Sequence, residues 1–240
     1  MKKFLFLIFI SLLYILPAYG VQSANMPLAA SIGEELVSKF RPDSVYVKVN
    51  SNSAWIELSG GRIDGIRIEK MKLEADLIGL SDKKTIQNSG ERLAGMIKSS
   101  RGELVLAEKD VNDYFNENED PRGFSDLSFD FMPDGFRAKG KFRTRMIIDI
   151  ELPISAKGIL ALREDGVYLD KTVISVKGIS QPEALTEMIV SRINPLLEFK
   201  EMPFPVIFEK IEMNESAAVL TGNPAEFKNG DIWLWNKADY

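Results

Sequence analysis

The sequence predicts an α+β fold in which antiparallel strands outweigh a few helices. Three observations carry this. Apolar residues alternate with polar ones over long stretches between Val45 and Leu162, the period of a strand with one buried face. Clusters of Gly, Pro, Asn and Asp punctuate those stretches. Only three segments, near 27–40, 108–116 and 180–193, repeat apolar residues at helical spacing.

The first helix is expected from Pro27 to Phe40. Leu28, Ile32, Leu36 and Phe40 share a side, Glu34, Glu35 and Lys39 fall elsewhere, and Arg41-Pro42-Asp43 ends it. A strand follows in which Val45, Val47 and Val49 alternate with Tyr46 and Lys48, and another covers Ala54 to Leu58 before Gly60-Gly61. Ile66 and Ile68 sit on even positions but Met71, Leu73, Ala75 and Leu77 on odd ones, which predicts a β-bulge near Glu69-Lys70. The polar stretch Ser81 to Gly90 fits a short helix, and strand signals resume at Gly102 to Leu106. A helix from Glu108 to Asn116 then presents Val111, Tyr114 and Phe115 together, with acids in its first turn where the helix dipole favours them. The acidic run Asn116 to Pro121 lacks the spacing of a calcium loop and reads as a solvated connection.

Phe124 to Arg145 predicts a hairpin down to its register. Leu127, Phe129 and Phe131 alternate before the turn Pro133-Asp134-Gly135, and Phe136, Ala138, Gly140 and Phe142 alternate after it. With Phe131 opposite Phe136, Phe129 meets Ala138 and Leu127 meets Gly140 inside, while Asp130 meets Arg137 and Asp126 meets Lys141 outside. One register satisfies both faces. Met146 to Leu162 extends the sheet, with Pro153 at a bend or edge, and Glu164-Asp165-Gly166 turns into Val167 to Val176. Ser180 and Glu183 have capping-box spacing around Pro182, opening a helix whose stripe is Leu185, Met188, Ile189 and Ile193. Asn194-Pro195 ends it. Strands return at Pro205 to Met213 and Ala217 to Gly222, joined by Asn214-Glu215-Ser216.

The N-terminus reads as an export signal. Met1-Lys2-Lys3 supplies a positive start, Phe4 to Leu16 is uncharged, and Ala18-Tyr19-Gly20 offers small residues for cleavage after Gly20. An uncleaved anchor is the weaker reading, because a spanning helix needs roughly 20 residues. Residues 1–20 are therefore expected to be a signal peptide, 21–224 one β-rich domain, and 225–240 a Trp-containing C-terminal tail. Without the signal the chain carries 28 basic and 35 acidic residues, and a net charge of −7 argues against a nucleic-acid partner.

The 240 residues include no His and no Cys. Disulfides, thiolate metal sites, lipid attachment through cysteine and the usual catalytic triads and dyads are excluded with them. No cofactor or metal and no enzymatic activity is expected. A hydrolase working with carboxylates alone is chemically open, but no Asp or Glu spacing singles out a pair.

Three segments in order carry a family resemblance: Leu104-Val105-Leu106-Ala107-Glu108-Lys109-Asp110-Val111-Asn112-Asp113-Tyr114, then Val176-Lys177-Gly178-Ile179 through Ser180-Gln181-Pro182, then Met202-Pro203-Phe204 followed by Leu220-Thr221-Gly222. In these the chain resembles the LmeA-like family of exported bacterial proteins, formerly a domain of unknown function, whose characterised relatives are described as phospholipid-binding. The resemblance implies an elongated, curved antiparallel sheet wrapped against helices around an apolar groove, similar to tubular lipid-binding folds. It carries no residue roles with it.

The expectation that follows is a non-catalytic phospholipid-binding or lipid-transfer protein of the bacterial cell envelope, in the periplasm or on the outer face of the cytoplasmic membrane. The alternative is an envelope scaffold that pairs an exposed strand with a partner and holds no lipid. From the pattern, Phe129, Phe131, Phe142, Ile148, Ile150, Leu185 and Ile189 are candidate acyl-chain contacts, against the plainer reading of an ordinary core. Arg137, Lys139, Lys141, Arg143 and Arg145 share one strand face, and the hairpin register leaves Lys139, Arg143 and Arg145 as candidates for phosphate headgroups or an anionic membrane surface. Trp233 and Trp235 share a parity and are candidates for a membrane interface, with packing on the domain as the other reading.

Overall fold

The computed structural model describes residues 25–78, 95–117, 123–145 and 149–239. The expected signal peptide, the helix expected near Ser81 to Gly90, most of the acidic connection and Ile148 lie outside the described residues, as do the side chains of Arg145 and Ile150.

The helix α1 (Met26–Phe40) begins with Pro27 in its first turn, where a missing N–H costs nothing. It buries Ala29, Ile32, Leu36 and Phe40, and stops where Arg41 turns left-handed and donates its N–H to Val37 O at 3.0 Å. The strands β1 (Ser44–Val49) and β2 (Ser53–Ser59) form the first hairpin. A small separate hairpin, β3 (Arg62–Ile63) and β4 (Ile66–Arg67), precedes β5 (Lys70–Leu77). The phase change near Glu69-Lys70 is thus a change of partner and not the expected bulge: Ile66 reaches the core from a hairpin of its own, Ile68 from the position just after it, and β5 starts afresh against β2.

Next come β6 (Ile97–Ala107) and α2 (Glu108–Asn116), the latter with the predicted bounds. Then β7 (Phe124–Met132), β8 (Gly135–Arg145), β9 (Asp149–Arg163) and β10 (Gly166–Val176) form an antiparallel meander. A two-residue β11 (Ile179–Ser180), helix α3 (Glu183–Val190) and a two-residue β12 (Leu197–Glu198) close that part. The chain ends with β13 (Lys210–Met213), β14 (Ala217–Thr221) and β15 (Asp231–Asn236).

Two large antiparallel sheets result, one ordered β13-β14-β6-β5-β2-β1-β15 and the other β11-β10-β9-β8-β7 with β12 beside β10. A single row of the first sheet reads Trp235, Val45, Leu58, Met71, Leu104, Leu220, Ile211. Every member is apolar, so all seven strands aim the same face at the core. Side chains from both sheets and all three helices join there in one cluster.

In the β7–β8 hairpin Phe131 opposes Phe136, Phe129 opposes Ala138 and Asp130 opposes Arg137, as the alternation predicts. Below that point a bulge intervenes. Asp126 turns left-handed at φ 52°, Ser125 takes the place opposite Lys141, and Leu127 lies over Gly140, where a Cβ would come within 3.0 Å of it. The Asp126 carboxylate still accepts from Lys141 at 2.7 Å. Pro153 faces Lys141 of β8, beyond the last β10 pair at Ile154, so its missing donor falls on an unpaired side.

The predicted capping box does not form. Ser180 pairs with Ser175 in β11, and α3 starts only after Pro182, whose carbonyl receives the N–H of Thr186 at 3.0 Å. Proline has no side-chain acceptor for that role, and at its other end the helix stops at Val190, where the N–H groups of Ile193 and Asn194 both turn back to Val190 O.

To travel from β14 to β15 at the opposite edge, residues 222–230 cross the outer face of the first sheet. The Ala225 N–H donates to Glu74 at 3.0 Å, and the Lys48 ammonium donates to the Glu226 carboxylate and to Phe227 O. This crossing buries Lys48 and, beside it in the same row, Trp55 on a face that alternation would leave to solvent. Its terminus β15 pairs with β1, so residues 231–236 are part of the sheet.

Two outcomes are expected. Trp233 packs its ring on Gly33 of α1, so Gly33→Ala should cost about 1–3 kcal/mol by overpacking, outweighing the roughly 1 kcal/mol that alanine gains in helix propensity; urea unfolding measures the sign. The hydrogen bond to Glu226 raises the Lys48 pKa above its ordinary value. A raised lysine pKa contributes stability that is fully present below about pH 10.4 and is lost as pH climbs through the folded value, so the urea midpoints of wild type and Lys48→Met should converge only in strong alkali.

Candidate functional site

The inner face of the second sheet is unusually aromatic. Phe124, Phe129, Phe131, Phe136 and Phe142 are all buried on β7 and β8, joined by Ile154, Leu160, Leu169 and Ile174 from β9 and β10. Two helices cover it. At one end α2 is fixed along β7: Asn112 accepts the Phe129 N–H at 2.6 Å and donates to its carbonyl at 2.9 Å, and Glu108 accepts the Phe131 N–H at 2.6 Å. The Phe115 ring sits 5.5 Å from Phe129.

The other end has only α3. That helix lays Ile189 inward, with Ile193 just beyond it, keeps Leu185 and Val190 half-buried, and turns Met188 outward at 44 % exposure. Asn194 fastens the turn after α3 to β10 by accepting the Leu169 N–H at 2.8 Å and donating to Leu169 O at 2.9 Å. Between helix and sheet lies an apolar chamber lined by Phe124, Leu127, Phe129, Phe136, Ile154, Ile174 and Ile189, with free space of about 20 Å³. That is room for about one water molecule.

On its solvent side the chamber adjoins a cleft of about 780 Å³ between α3 and β10, and Leu169, Thr172 and Val190 line both. The cleft is polar and mixed in charge, with Arg163, Lys171, Asp170, Glu183 and Glu187 around it. Its floor includes Tyr168, whose hydroxyl donates to Asp165 at 2.7 Å while Arg163 stacks 4.3 Å from its ring. That hydrogen bond, with burial, raises the Tyr168 pKa and keeps the phenol neutral. A β-bulge at Lys171-Thr172, with Lys171 left-handed at φ 46°, opens β10 at this point.

The expected acyl contacts divide accordingly. Phe129 and Ile189 line the chamber; Phe131 and Phe142 are buried in the core outside it, Phe142 under the Arg192 guanidinium at 5.1 Å; Leu185 is half-buried. Of the cations, Arg143 is committed, lying 3.7 Å from Glu151 on the neighbouring strand, which corrects the reading that left it free. No carboxylate among the described residues pairs with Lys139, which borders the chamber from β8. Trp233 and Trp235 face the core beside α1, where the apolar row continues; the solvent face of β15 carries Ile232 and Leu234 instead. The pattern missed the cleft residues. Its available signal was the shift from odd Val167 and Leu169 to even Ile174 and Val176, which marks the bulge at Lys171-Thr172.

Among the described residues no three carboxylates gather as a metal site, and no helix is long and apolar enough to cross a membrane. A scan against family models finds no match, and neither do searches of curated proteins and of solved structures.

A cation near an anionic membrane surface contributes about 1 kcal/mol, so if this face docks on such a surface, as the sequence reading expects, Lys139→Gln should lower partitioning onto anionic vesicles about five-fold at low salt. Arg143→Gln should lower it less, because Glu151 already offsets that charge. Liposome co-sedimentation at low and high salt measures both.

Proposed function

We propose that this chain is an exported, non-catalytic phospholipid-binding protein of the bacterial cell envelope, related in architecture to the tubular lipid-binding folds. The observation that carries the reading is the cover of the second sheet. Its aromatic face is closed at one end by an eight-residue helix, and the chamber beneath that helix meets a polar cleft along shared walls. With α3 lifted, an acyl chain would lie beneath it and a headgroup in the cleft beside it. The N-terminal signal pattern and the LmeA-like order of three segments support the same reading from the sequence.

In the closed form no acyl chain fits, so uptake requires α3 to lift. Exposing Ile189 and Ile193 costs roughly 1.5–3 kcal/mol each. Burying about six methylenes of a lipid, at roughly 0.8 kcal/mol each, offsets that, and the lifted helix lays the same residues on the chain it admits. A bilayer shelters methylenes nearly as well, so such a site exchanges lipid with a membrane without trapping it. Arg163 and Lys171 suit a phosphate, and Glu183 and Glu187 suit a headgroup amine.

The test is native mass spectrometry of protein purified from a bacterial envelope, followed by organic extraction and lipid analysis. Stoichiometric phospholipid is the expected result. Bare protein that also takes up no lipid from vesicles would overturn the reading in favour of an interaction module.

A further inference from the structure

The geometry points to β15 as a self-pairing edge through which two copies of this chain join their first sheets into one. Among the described residues, the other terminal strands of the two large sheets are engaged, short or charged. The backbone of β7 is bonded by Asn112 and Glu108 of α2, β11 has two residues, and β13 alternates the exposed charges Lys210 and Glu212. At β15 no proline or bulge interrupts six residues, and Ile232 and Leu234 stand 44 % and 68 % exposed. Proteins usually blunt such an edge.

Hydrogen bonding shows which backbone groups face outward. The Lys237 N–H donates to Asp43 O at 2.9 Å, in register with Ser44 opposite Asn236, so Lys237, Trp235, Trp233 and Asp231 bond toward β1. The opposite side of β1 agrees: Asn50 N–H donates to Ser53 O at 3.0 Å, which turns Tyr46 and Lys48 toward β2 and leaves Val45 and Val47 for β15. The N–H and C=O groups of Ile232, Leu234 and Asn236 therefore point to the open edge.

An antiparallel copy fits that edge with its two-fold axis at Leu234. In this register Leu234 opposes Leu234 of the second copy, and Ile232 opposes Asn236. The outward groups then form six backbone hydrogen bonds, each residue keeps its own face, and the apolar strip of Ile232 and Leu234 becomes continuous across the junction. Asp231 of each copy comes opposite Lys237 of the other, the first residue of the closing 3-10 turn, so opposite signs meet at both ends, with Lys237 also 3.9 Å from Asp43 of its own chain. A symmetric contact of this kind closes on itself and builds no fibre.

The chain has no cysteine, which makes the register directly testable with single substitutions. Only a residue on the axis faces itself, at about 5.5 Å between Cα atoms, inside the range a disulfide spans. Two Ile232 positions would lie roughly 14 Å apart. Expressed from the full chain, Leu234→Cys should form a covalent dimer under mild oxidation while Ile232→Cys stays uncrosslinked. Light scattering should give a dimer for the unsubstituted protein, and Leu234→Lys, which sets like charges opposite each other on an exposed position, should return it to monomer with its circular dichroism unchanged. Equal crosslinking at both positions, crosslinking at neither, or a monomeric unsubstituted protein would overturn the proposal.

Discussion

The structure is governed by a shortage of cover. Two sheets of seven and six strands each turn one apolar face inward, and the α-helices that cover them among the described residues have 15, 9 and 8 residues. Packing the sheets toward one core solves most of this, since both faces then share a single cluster. What is left falls to local devices: α1 over the β1–β15 end, α2 stitched to β7 by three short hydrogen bonds, and α3 over the far half of the second sheet. Of these, α3 is the shortest and buries the least, and a functional site is most readily placed where cover is thinnest.

The same constraint explains the C-terminal path. Reaching β1 from β14 obliges the chain to cross the outer face of the sheet, and the crossing turns Lys48 and Trp55 from surface residues into buried ones. An amine so placed needs an acceptor, and the Glu226 carboxylate and Phe227 carbonyl supply it. The last strand then extends the core row with Trp235 and brings Trp233 onto Gly33.

Much of this was legible in the residues. Strict alternation fixed the Phe131–Phe136 register, and apolar spacing with first-turn acids fixed both ends of α2. Legibility failed where long-range partners decide. Nothing local distinguishes a bulge at Glu69-Lys70 from a switch between hairpins, because both reverse the buried parity. The solvent-facing pattern around Lys48 gave no hint of a segment 178 residues away lying over it. At the candidate site the apolar half was visible as Phe129 and Ile189, whereas the cleft arises from the meeting of β10 with α3, two elements whose polar residues look ordinary apart.

On the proposed function, α3 opens over the aromatic face of the second sheet to admit an acyl chain. Amide hydrogen exchange followed by mass spectrometry reads this directly, comparing residues 183–190 with β8 and β9 before and after addition of phospholipid vesicles. The expected result is that α3 exchanges through local opening well before the strands beneath it, and that lipid changes exchange in α3 and the Asp170-Lys171-Thr172 bulge together. Protection of α3 equal to that of the sheet, unaltered by lipid, would contradict it.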